Sequence, residues 1–89
     1  MGGIGTVQSV TAEGSVSQNG GSAFITATCP AGMKPIGASY FVNAGSFYYA
    51  FRVVAFAPTS TGWTLGVVNT SLAAGPAPIG VTVNCATLP

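Results

Sequence analysis

The chain has 89 residues, a net charge of +1 and only three charged side chains, Glu13, Lys34 and Arg52, with 48% hydrophobic residues. This describes one small domain, residues 1–89, whose surface is covered by Ser, Thr, Asn, Gln and Gly rather than by charge. It excludes nucleic acid as a partner, because phosphate binding needs several Lys or Arg. It also excludes a membrane helix, because no apolar run approaches the ~20 residues required.

Taken in chain order, the sequence reads as β throughout, in short alternating runs separated by Gly, Pro, Asn and Ser. Met1–Gly5 shows no secretion signal and reads as a flexible arm, with Ile4 able to dock on a neighbour. Ile4–Thr11 is the first strand, and a turn at Glu13-Gly14 leads into Ser15–Gln18. Asn19-Gly20-Gly21 is a turn, since Asn and Gly accept positive φ. Ser22–Cys29 follows, with Ala23, Ile25, Ala27 and Cys29 on one face and Phe24, Thr26 and Thr28 on the other. Pro30-Ala31-Gly32 stops it, and Pro35–Asn43 restarts the β pattern.

Ser46–Ala57 is the longest and most aromatic run; Pro58–Gly62 is a loop. Trp63–Thr70 carries Trp63, Leu65 and Val67 in phase, and Ile79–Ala86 aligns Ile79, Val81, Val83 and Cys85. The expected fold is all-β: a small antiparallel β-sandwich or barrel of six to seven short strands. The stretch Ala31-Gly32-x-x-Pro35-Ile36-Gly37 is echoed by Ala74-Gly75-x-x-Pro78-Ile79-Gly80. In a chain so rich in Ala, Gly and Pro, coincidence accounts for it better than duplication.

Cys29 and Cys85 each end the apolar face of an alternating strand, the phase that an inter-sheet disulfide needs. Two buried free thiols fit the same phase. A disulfide is the expectation; it would stabilise by about 4 kcal/mol on the loop-entropy model and form outside a reducing cytoplasm. Zinc is not expected, because two Cys without His do not complete a four-ligand site. No other cofactor is implied.

Catalysis is not expected either. The sequence contains no histidine, so no Ser/His/Asp or Cys/His arrangement exists in it. Glu13 alone does not form a carboxylate pair. Arg52 falls on the same alternating face as Tyr48 and Phe56, while Phe47, Tyr49, Phe51, Val53 and Ala55 form the core-facing set. Arg and aromatics are enriched in interface cores. Arg52, Tyr48, Phe56 and Ile4 are therefore the candidate subunit-interface residues, weighed against a solvated charge or a ligand contact. Glu13 is the one side-chain carboxylate that Arg52 can meet, in its own or a neighbouring chain. Tyr40, Phe41, Tyr48, Tyr49 and Trp63 also suit stacking on sugar rings, though core or interface packing accounts for most of them.

Cys29-Pro30-x-Gly32, then Gly37, then Pro58 … Gly62-Trp63 … Asn69, then Cys85 form an ordered set across residues 22–87. This pattern resembles a small β module of phage virion proteins and of tail-fibre-like or collagen-like bacterial proteins. Gly37-Ala38-Ser39 departs from the Gly-rich run such modules often carry. The resemblance implies an all-β module on an external, multimeric structure and identifies neither a receptor nor a catalytic site.

With near-zero net charge favouring association, the leading expectation is a phage virion structural protein. It is a capsid decoration or cement subunit, trimeric, bound to the major capsid protein or another virion protein. Such a subunit would be made in the host cytoplasm and carried on the particle exterior. The alternative is a tail-fibre or spike tip module that binds a host surface or glycan. A chain of 89 residues, taken as a whole product, favours the first, since a fibre also needs a shaft. A film-forming surface coat is a third class, disfavoured by the Pro and Gly interruptions.

Overall fold

Alternation and β-branched residues build six strands, here described from a computed structural model covering residues 6–17, 20–45, 50–70 and 76–87. They are β1 (Val7–Val16), β2 (Ser22–Thr28), β3 (Lys34–Val42), β4 (Phe51–Pro58), β5 (Gly62–Asn69) and β6 (Ala77–Ala86). All pairings are antiparallel, and two three-stranded sheets form, in the orders β1-β6-β3 and β2-β5-β4. The fold is a small β-sandwich. Among the described strands, only β4 and β5 are consecutive neighbours within one sheet; the other consecutive strands lie in different sheets.

The core lies between the central strands. Leu65 and Val67 of β5 face Ile79, Val81, Val83 and Cys85 of β6, with Val16 and Ala27 completing a buried cluster. Each such Val, Leu or Ile contributes ~1.5–3 kcal/mol by leaving water. The outward residues pair instead through polar groups. Ser9 Oγ donates to Asn84 Oδ1 at 2.7 Å, and the hydroxyls of Thr11 and Thr82 meet at 2.8 Å. Thr26 and Thr64 repeat the motif at 2.8 Å on the other sheet.

Asn69 is the one buried polar side chain among the described residues. Its Nδ2 donates to the Ser17 carbonyl at 3.2 Å and its backbone N–H to the Gly21 carbonyl at 2.8 Å, tying β5 to the β1–β2 crossover. At the corner after β2, Gly32 has φ +85°, and Met33 N–H donates back to the Pro30 carbonyl at 3.1 Å.

One expectation is corrected here. Glu13-Gly14 is not a turn: β1 runs unbroken through it, with Gly14 opposite Ile79. The glycine serves close sheet packing, since a Cβ there would lie 2.9 Å from Ile25 Cγ2 on the facing sheet. The echoed segments are also unlike in setting. Pro35-Ile36-Gly37 contains a bulge that leaves Ile36 exposed, whereas Ile79 is fully buried in β6. Ala74 and Gly75 of the second copy lie outside the described residues.

Candidate interaction surfaces

Cys29, just past the end of β2, and Cys85, near the end of β6, are joined by a disulfide with a Cα–Cα distance of 5.8 Å. The bond links an edge strand of one sheet to the central strand of the other. The residues opposite Cys85 are Gln8 on β1 and Pro35 on β3, so the clasp sits at one end of the sandwich. Neither sulfur is available as a nucleophile or ligand. Among the described residues no group of three His, Cys, Asp or Glu is placed to hold a metal ion.

Two of the four proposed interface residues, Arg52 and Phe56, lie among the described residues. Ile4 and Tyr48 lie outside the described residues, as do Phe47 and Tyr49. Arg52 and Phe56 were expected on one face, and β4 separates them. Its register against β5 slips between Val53, opposite Val67, and Ala55, opposite Gly66. Val54 is the extra residue of this bulge. Arg52, opposite Val68, faces outward and is exposed, whereas Phe56 falls opposite the buried Leu65. Ala55, expected in the core, moves to the phase of Gly66 for the same reason.

Phe56 thereby joins an aromatic seam. Its ring centroid lies 4.9 Å from that of Tyr40 on β3, at an interplanar angle of 60°. It lies 5.7 Å from Trp63 on β5. The three rings run from one sheet to the other, from β3 through β4 to β5. Tyr40 is 46% exposed and Phe56 36%. The indole Nε1 of Trp63 is buried and finds no acceptor among the described residues. The seam offers ring faces and a phenol, the chemistry of stacking and hydrogen bonding.

Each outer face carries a second feature that alternation alone did not reveal. Phe41 on β3 lies opposite Gly80 on β6, and Phe24 on β2 lies opposite Gly66 on β5. A Cβ at either glycine would overlap the facing Phe ring. Both rings therefore cover the central strand, yet remain 43% and 62% exposed. A glycine inside an otherwise regular strand is the sequence signal for such close approach; which ring covers it depends on strand pairing.

No protein-family model matches the chain, and no curated protein matches it in sequence. In fold it is similar to part of a solved fibre, the P. aeruginosa R1 pyocin fiber comprising C-terminal residues 323-701, with a TM-score of 0.55 and 17% identity. The likeness covers 88% of this chain and 22% of that one, so the chain spans about a fifth of the fibre fragment. At this identity the likeness speaks for the fold alone.

Proposed function

We propose that the chain is a structural module of a phage tail-fibre-like assembly carried on the outside of a particle. The observation that carries this reading is the likeness of its sandwich to part of a pyocin fibre over 88% of its length. The ordered pattern from Cys29 to Cys85 supports the same class of assembly. The capsid-decoration reading rests on charge depletion, β content and chain length, and no fold likeness supports it, so the fibre reading takes its place. The module works by packing rather than chemistry. The disulfide clasps the two sheets at one end, and charge-poor outer faces pack on neighbours in a homo-oligomer, proposed to be a trimer.

Immunogold labelling of particles from the encoding strain, with antibody raised against the purified chain, tests this. Gold on tail fibres is expected; gold on the head shell alone, or on no particle, overturns it.

A second reading, host-surface recognition, is favoured by the Tyr40–Phe56–Trp63 seam, whose half-exposed rings suit stacking on sugars. A fluorescent fusion of the chain is expected to bind host cells. Phe56→Ala is expected to reduce that binding about fivefold or more, in line with the loss of one ring contact. Equal binding by the folded variant excludes the seam.

A further inference from the structure

The three charges of this chain are distributed over the two outer faces in a way that one copy cannot use. Glu13 is on the outer face of the β1-β6-β3 sheet, in the row Glu13–Gly80–Phe41. It stands one strand away from the glycine that Phe41 covers. Arg52 is on the outer face of the other sheet, in the row Arg52–Val68–Ser22. The next outward row of that sheet holds Phe24 over Gly66. Each face thus presents one exposed aromatic plate beside one charge, and the two charges are opposite in sign. Both sheets lie between Glu13 and Arg52, so they do not pair within a chain.

We infer that the two faces are the complementary halves of a contact between copies of this chain, with the Glu13/Phe41 face of one copy seated on the Arg52/Phe24 face of the next. The contact is heterologous, so it repeats around a ring or along a stack. Lys34 sets its direction. It pairs with Ala86, six residues along β6 from Gly80, roughly 20 Å from the Glu13 row at ~3.3 Å per residue. Seating Arg52 on Glu13 keeps the two cations apart by more than the ~8 Å screening length of physiological salt; the reversed register sets Arg52 against Lys34. Charge here fixes orientation, and the Phe24 and Phe41 plates with Val54 supply the apolar area. The inference rests on the chain's own charges and not on the fibre likeness, so a failure of the labelling experiment leaves it standing.

Sedimentation velocity of the full chain tests it, using wild type, Arg52→Glu, Glu13→Arg and the double exchange, each checked for native far-UV circular dichroism. Wild type is expected to self-associate. Each single reversal is expected to weaken association about tenfold, because an attractive pair becomes a repulsive one. The double exchange is expected to restore it. A strictly monomeric wild type, single variants that associate as wild type does, or a double exchange without rescue overturns the inference. If a single variant does not fold, wild type alone decides. Its dissociation constant is expected to rise severalfold between low and about 0.5 M salt, and a constant value contradicts the contact.

Discussion

Gly14 shows how one residue carries two opposite readings. As sequence, Glu13-Gly14 suggests a turn; in the fold it is mid-strand, and Ile25 on the facing sheet occupies the space a side chain would take. Gly14→Ala is therefore expected to destabilise by about 1 kcal/mol through overpacking, read as a lower thermal midpoint with unchanged circular dichroism. Equal stability would restore the turn reading. The same ambiguity affects Gly66 and Gly80: the residue type signals close approach, but the rings that approach, Phe24 and Phe41, belong to other strands. Buried positions were easier to read. Ile79, Val81, Val83 and Cys85 share a face in sequence and are all fully buried in the fold, because a period of two survives wherever a strand is regular.

At the scale of elements, regular strands were legible and bulged ones were not. β2, β5 and β6 keep the phases their residues suggest, while Ile36 in β3 and Val54 in β4 are each bracketed by a register shift. Both bulges are on edge strands, where they spoil the flat rows of open N–H and C=O groups that invite edge pairing. The β4 bulge moves Phe56 from the expected Arg52 face to the seam with Tyr40 and Trp63. No local pattern marks it, since Arg-Val-Val-Ala-Phe alternates as well without a bulge.

The disulfide is the other element-scale device, bridging 56 positions of sequence. Replacing both Cys29 and Cys85 by Ala is expected to cost about 2–4 kcal/mol, comparable to one or two core side chains. At ~4–8 °C per kcal/mol for a domain of this size, the melting temperature falls by about 10 °C or more. Calorimetry with and without reductant gives the same comparison on the native sequence. A change below a few degrees would mean that the packed β5–β6 core suffices alone.

For the whole molecule, charge depletion acquires a geometric meaning. A charge-poor sequence suggests association, but only the sandwich shows that Glu13 and Arg52 face opposite ways. Six to seven strands in a sandwich or barrel follow from punctuation by Gly and Pro; the division into two sheets with the pairing orders β1-β6-β3 and β2-β5-β4 is non-local and leaves no trace in any window. Function was the least legible. Composition leads to the expectation of neither Ser/His/Asp-type chemistry nor nucleic-acid binding and, with chain length, ranks a capsid position above a fibre, because it describes how a surface associates and not what it associates on. Cryo-electron microscopy of intact particles from the encoding strain tests the fibre account most directly. The account predicts density for this two-sheet sandwich in the tail fibre, with copies in mutual contact. The same sandwich seated on the capsid lattice, or fibres without it, would contradict the account.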